Sequence, residues 1–164
     1  HNYEQDGEKL KAKIYNPETG AFYHYSARHI PKPSHSSGFP TTGDISTKAG
    51  FKQAVYDGTR PYLLDEFGGI KCLEATPTKD LEKGKARTSS WGYGVSTVTK
   101  EEFYKRLEGQ VNALLSISEQ VWGYCYTQLT DVEQEENGLY FYDRSPKYDA
   151  ARLKAIFSKE PTKK

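Results

Sequence analysis

Methionine is absent from this chain and cysteine nearly so, Cys72 and Cys125 being its two thiols. A translated polypeptide starts with Met, so a sequence that opens on His1 is expected to be a processed chain or a fragment of a longer one. Neither thiol belongs to a metal-spaced pair, which excludes a cysteine zinc site and a disulfide framework. Cys125 falls in a strand-like segment and is expected to be a small buried side chain, with Cys72 in a loop. An excess of one charge is also missing: 23 basic against 22 acidic residues leave a net +1. No broad field therefore favours nucleic acid or a membrane surface as partner. Long apolar runs are lacking too, and none approaches a membrane span. There is no G-x-S-x-G elbow and no phosphate-cradling glycine loop. His24, His29 and His35 fit no compact zinc spacing, so neither a metal nor another cofactor is expected.

Tyrosine, by contrast, is plentiful, at 13 residues alongside Trp91 and Trp122. These rings pair a flat apolar body with a polar edge. Pyranose rings have the same division, an apolar C–H face within a hydroxyl rim, so a carbohydrate partner suits this composition. The 164 residues suffice for one domain with a core but fall short of a whole β/α barrel, which takes about 250 residues.

Two amphipathic helices are predicted with defined starts. Asp6 is a plausible N-cap for a helix to Tyr15, with Leu10 and Ile14 one turn apart. Thr99 and Glu102 form a T-x-x-E capping box ahead of a helix over 100–116, whose apolar stripe is Phe103, Leu107, Val111, Leu114 and Leu115. Gly109 interrupts that helix, at a cost of about 1 kcal/mol relative to Ala. Ser145-Pro146 is expected to open a third helix carrying Leu153, Ile156 and Phe157 on its apolar face. Between the first two helices, residues 16–49 are dense in turn signals, which reads either as a functional loop insertion or as a segment holding a short strand or hairpin near Ala21–Tyr25. Asp57-Gly58 and Asn137-Gly138 read as turns, and 139–142 as extended. Residues 70–90 read as an exposed polar excursion.

Pro61-Tyr62-Leu63-Leu64-Asp65-Glu66-Phe67-Gly68-Gly69 reads as a short buried strand ending in an acid and paired glycines. Residues 120–129 read as an aromatic strand covered on both faces. From residue 61 onward the order is strand, loop, helix, strand, loop, helix, which implies parallel strands in an α/β fold. A carboxylate at the C-terminal end of such a strand sits where catalytic groups of β/α barrels are found. On this segment alone an ordinary charged strand end is the plainer reading.

The string Trp122-Gly123-Tyr124-Cys125-Tyr126-Thr127-Gln128-Leu129-Thr130-Asp131-Val132-Glu133-Gln134-Glu135-Glu136-Asn137-Gly138-Leu139 adds to this. Taken with Asp65-Glu66-Phe67-Gly68-Gly69 and Trp91-Gly92-Tyr93-Gly94, it resembles glycoside hydrolase family 2, in particular the bacterial β-galactosidase- and β-glucuronidase-like members. The resemblance implies a partial (β/α)8 TIM barrel over residues 1–164, about the last three βα units, with His1–Asp6 at the end of the sixth strand. It implies a retaining hydrolase of β-linked O-glycosides with Glu66 as nucleophile. Such a mechanism needs a second carboxyl group about 5–5.5 Å away. The family places its acid/base in an Asn-Glu pair on the fourth strand, and no Asn-Glu dipeptide occurs here. The chain alone is therefore expected to turn over little, with the rest of a parent chain as its partner. Adjacent strand residues point to opposite faces, so Asp65 is not expected to substitute.

The resemblance further implies substrate-binding roles for Tyr3, against Glu66; His1, on the same strand face; Tyr126, where many members carry Trp as the floor of the sugar site; and Trp91, as a pocket wall. Gln128 and Asp131 are expected as polar groups at the mouth. Packing is the competing role for the aromatics, and a chain-terminal residue without a role for His1. A partial barrel exposes unpaired edges, so self-association is expected. The alternative from another class is a non-catalytic carbohydrate-binding or assembly module, which has use for the aromatics but none for an acid at position 66.

Overall fold

The computed structural model describes residues 2–19, 21–22, 61–76 and 90–161. In chain order these form α1 (Gly7–Ile14), β1 (Tyr15–Asn16), β2 (Ala21–Phe22), β3 (Tyr62–Gly68), α2 (Lys100–Leu115), β4 (Val121–Thr127) and α3 (Ala150–Phe157). The architecture is mixed α/β. β3 and β4 pair in parallel, and the chain between them includes α2. On the other edge of β3, Asn2 makes a parallel bridge to Phe67, its N–H donating to the Glu66 carbonyl at 2.8 Å. Three parallel segments thus lie side by side, each followed in sequence by a helix.

Local chemistry sets the helix starts. Asp6 accepts from the Lys9 N–H at 2.9 Å and caps α1. Both halves of the Thr99–Glu102 capping box form at α2. α3 begins later than Pro146 suggests: Asp149 is its N-cap, accepting from the Arg152 N–H at 2.8 Å. An acidic cap satisfying an otherwise orphaned N–H outweighs the preference of proline for a first turn. The expected hairpin is present as Tyr15–Asn16 against Ala21–Phe22. Its continuation to Tyr25, the Asp57-Gly58 turn and the three histidines of the insertion lie outside the described residues.

The core lies between the helices and one face of the sheet. Phe103, Leu107, Val111 and Leu114 of α2 are buried, with Leu115 partly so; they pack with Leu10 and Ile14 of α1, Leu64 and Phe67 of β3, Val121 of β4, and Leu153 and Ile156 of α3. Each such side chain contributes about 1.5–3 kcal/mol when fully buried. Phe103 stacks on Tyr148 with centroids 3.9 Å apart, joining α2 to the segment before α3.

Four expectations change. β4 is covered on one face, not both: Trp122 is 72% exposed, and Cys125 is exposed while Cys72 is buried. The helices cover the side bearing Val121, Tyr124 and Tyr126, and nothing among the described residues covers the other. Residues 70–75 are no polar excursion, since Ile70, Lys71, Cys72 and Ala75 are buried; a parallel bridge from Cys72 to Thr97 draws this segment inward. The turn after β4 is at Glu133–Gln134, closed by reciprocal Val132–Glu135 backbone bonds, rather than at Asn137-Gly138. Gly138 instead passes so close to the Thr130–Asp131 peptide that a Cβ there would come within 2.3 Å of backbone. Residues 139–142 form no strand; Tyr140 makes single bridges to Thr130 and Pro146.

Candidate active site

Glu66 stands at the C-terminal end of β3, and its setting comes from an irregularity in that strand. Leu64 is opposite Tyr124 and Phe67 opposite Tyr126, so β3 spends three steps where β4 spends two. The extra residue is a β-bulge, rare between parallel strands and a means of re-aiming side chains near sites. Leu64 and Phe67 both face the core, Asp65 is exposed and Glu66 half-buried. The strict alternation expected to turn Asp65 and Glu66 to opposite faces is broken at the bulge: Leu64 and Phe67 take the core side, and neither acid belongs to the core.

The Tyr3 hydroxyl donates to Glu66 Oε2. Tyr3 is brought there by the Asn2–Phe67 bridge, and Gln5 Nε2 ties the same segment to β3 by donating to the carbonyls of Tyr3 at 3.0 Å and Gly68 at 2.8 Å. The Tyr3 ring stacks on Tyr93, centroids 3.4 Å apart and planes 1° from parallel. Trp91, 43% exposed, meets Tyr93 edge-on at 5.5 Å. Burial first, then the hydrogen bond to Glu66, holds the Tyr3 phenol far above its usual range, with the Thr127 hydroxyl pulling the other way. Tyr3 is thus a neutral, permanent donor at the site.

The paired glycines are explained by these rings. Gly68 has φ +90° and Gly69 φ +60°, left-handed backbone in which side chains are rare. A Cβ on Gly68 would lie 2.3 Å from the Tyr126 ring, and one on Gly69 would lie 2.4 Å from the Tyr93 ring and 3.1 Å from Tyr3. The chain must turn sharply after Glu66 with aromatics pressed against it.

On the far side of Tyr93 lies the segment after β4. Trp91 pairs with Glu135 as a parallel bridge, with the Trp91 N–H donating to the Gln134 carbonyl and the Glu136 N–H to the Trp91 carbonyl. Asn137 Nδ2 donates to Glu135 Oε1 at 3.0 Å, and Gln128 Nε2 to the Glu135 carbonyl at 3.4 Å. The Tyr93 phenol is raised by burial first, then by the charges of Glu135 and Glu66, with the Tyr3 hydroxyl opposing.

The structure therefore brings Glu66, Tyr3 and Trp91 into one group through Tyr93, with Gln128 joining from the Glu135 segment. Tyr126 packs inward against Phe67 and Phe157, its hydroxyl donating to the Asn137 carbonyl at 3.3 Å. Asp131 is corrected from a group at the mouth to an internal one. It is 5% exposed, and its Oδ1 accepts from Lys147 Nζ at 2.5 Å and from the Gly138 N–H at 2.9 Å. Burial raises the Asp131 carboxyl and lowers the Lys147 ammonium against their mutual attraction. His1 lies outside the described residues. Tyr93 and Glu135 were not singled out in the sequence. Tyr93 stands two residues from Trp91, the spacing that returns side chains to one side of an extended segment; Glu135 had no such signal among its acidic neighbours.

Among the described residues no group of three metal-ligating side chains occurs, and no helix is long and apolar enough to cross a membrane. An open cleft of about 800 Å³ lies at the opposite end of the strands, between the ends of α1 and α2 and the start of β4. It contains none of the Glu66 group. Parallel α/β sheets carry chemistry at the carboxyl ends of their strands, so the acid–phenol cluster rather than this cleft marks the candidate site. No known family model matches the chain, and a search of curated proteins returns no significant match.

Proposed function

We propose that the chain carries the nucleophile of a retaining glycoside hydrolase acting on β-linked sugars, and that its three parallel strand–helix units are the last three of a (β/α)8 barrel. The observation that carries this reading is the Tyr3–Glu66 hydrogen bond at the rim of β3, beside the Tyr93–Trp91 wall. A half-buried carboxylate that accepts from a neutral phenol, with an aromatic surface next to it, has what attack on an anomeric carbon requires. The phenol orients the attacking oxygen, and the rings receive the apolar face of the sugar. In this mechanism a Glu66 oxygen bonds to C1 as the glycosidic C–O bond breaks, and water later releases the sugar with retained configuration. Asp65, exposed at the neighbouring position of β3, is not assigned as the second carboxyl group; the acid/base belongs to polypeptide other than these residues, and the chain alone turns over little. The sheet face that none of the described residues covers, with Leu63 61% and Trp122 72% exposed, suits the interior of a larger barrel.

A 2-deoxy-2-fluoro-β-glycosyl fluoride tests the assignment, because fluoride leaves without a general acid. The covalent adduct is expected on the peptide containing Glu66 and is expected to vanish in Glu66→Gln. Labelling of another carboxylate, or undiminished labelling of the Gln variant, would overturn the proposal.

A further inference from the structure

We infer that Glu135 is a second carboxylate of the Glu66 site and makes it select neutral β-pyranosides over β-uronides. The inference rests on the reading of Glu66 as a glycosidase nucleophile and adds the class of sugar. Three observations carry it.

First, Glu135 is fixed beside the aromatic wall. It is bridged to Trp91, whose ring meets Tyr93, which stacks on Tyr3, which holds Glu66. Behind burial, the charges of Glu135 and Glu66 both raise the Tyr93 phenol, with the Tyr3 hydroxyl opposing.

Second, the hydrogen-bonding capacity left there is for accepting. Glu135 Oε1 takes the Asn137 amide, and its other oxygen accepts no hydrogen bond among the described residues. An ionised carboxylate can only accept, so what this oxygen lacks is a donor. Sugar hydroxyls supply donors of this kind, and the exposed face of Trp91 supplies the apolar platform that a pyranose needs.

Third, among the described residues, the basic side chains of Lys71, Lys147 and Arg106 are committed elsewhere. Lys71 Nζ donates to the Ser90 carbonyl at 2.9 Å and lies 3.6 Å from Glu136. Lys147 is paired with Asp131, and Arg106 answers Gln5 and the Val95 carbonyl. A uronide would bring a third carboxylate to a region already holding two.

The test compares two probes on the same protein, 2-deoxy-2-fluoro-β-D-galactosyl fluoride and its β-D-glucuronyl counterpart. In each, a Glu66 oxygen bonds to C1 and fluoride leaves with the electron pair, and no proton is required. The galactosyl probe is expected to label Glu66 at least tenfold faster. Glu135→Gln is expected to narrow that ratio at least fivefold, and Glu135→Asp to retain it. A ratio cancels any general loss of folded protein, so a purely structural role for Glu135 would leave it unmoved. An unchanged ratio in Glu135→Gln, or a wild-type preference for the glucuronyl probe, would overturn this inference and leave the nucleophile assignment standing. Absence of labelling by both probes would instead remove the nucleophile assignment. Titration of Glu66→Gln with methyl β-D-galactopyranoside and methyl β-D-glucuronide then decides selectivity apart from chemistry: equal affinities, or no binding of either, overturn the inference.

Discussion

Two glycines at the α1–α2 contact should respond to the same substitution with opposite signs. Gly7 opens α1 against α2, and a Cβ there would stand 2.4 Å from the Gly109 carbonyl oxygen, 2.8 Å from its carbon and 3.3 Å from the Ala113 Cβ. The first two obstacles are backbone in mid-helix and cannot rotate away, so the helices must separate by several tenths of an ångström. Overpacking of this kind costs about 1–3 kcal/mol. Gly109 supplies that close carbonyl, but a Cβ on Gly109 itself would meet nothing within 4 Å. Gly109→Ala therefore gains helix propensity without a clash, about 0.8–1 kcal/mol. At this chain length 1 kcal/mol corresponds to about 2–4 °C in Tm. Thermal unfolding followed by far-ultraviolet circular dichroism should show Gly109→Ala about 2–4 °C above the parent and Gly7→Ala about 2–12 °C below it. A lower Tm for Gly109→Ala, or an unchanged Tm for Gly7→Ala, would mean that the two helices do not meet as described.

Buried tyrosines should limit stability in alkali. The Tyr126 and Tyr148 phenols are raised, by burial first. A folded pKa above the unfolded value gives a contribution that is complete below about pH 10 and lost as pH climbs beyond it. Each adds about 1.4 kcal/mol of destabilisation per pH unit, so urea midpoints should fall steeply above pH 10, with a second rise in tyrosinate absorbance on unfolding after exposed phenols such as Tyr142 have ionised; a flat midpoint to pH 12 would contradict this. Lys147→Met should cost about 3–5 kcal/mol by stranding Asp131, whereas pairing it with Asp131→Leu should recover much of that, and equal losses in denaturant titrations of the single and double variants would refute it. Leu63 and Trp122 are exposed on the sheet face that none of the described residues covers; sedimentation should show concentration-dependent association that Trp122→Lys weakens, and a monodisperse monomer at all concentrations would sink that expectation.

What was legible in the sequence was set by local chemistry. The Asp6 cap and the Thr99–Glu102 box are contacts within one turn, and both form. The stripe from Phe103 to Leu114 repeats at helical spacing and is buried as expected. What failed depended on partners distant in sequence. Cys125 looks apolar in a strand, but whether a strand face is buried is decided by what lies across it. Asp131 follows a strand end, as a site residue would, yet Lys147 and the Gly138 N–H take it inside. At the candidate site, the Tyr3–Glu66 pairing followed from family resemblance, while Tyr93 and Glu135 join the group only through a ring stack and a single bridge. Neither contact leaves a periodic trace.

The placement of Glu66 shows how little separates a site from a core position. With strict alternation, a strand that points Leu64 at the helices also points residue 66 there and turns residue 67 away. Glu66 would then be driven into the layer occupied by α2, an unfavourable burial of charge, and Phe67 would stand in water. The one-residue bulge reverses this. It lets Phe67 enter the core, where it meets Tyr124 and Tyr126 edge-on at 5.2 and 5.6 Å, and it leaves the carboxylate at the rim within reach of Tyr3. The two left-handed glycines then turn the chain before any side chain could crowd those rings. Packing of Phe67 and presentation of Glu66 are thus one constraint. A substitution that straightens the bulge should lose the Tyr3–Glu66 contact and core packing together, so the acid's position is secured by the stability of the fold.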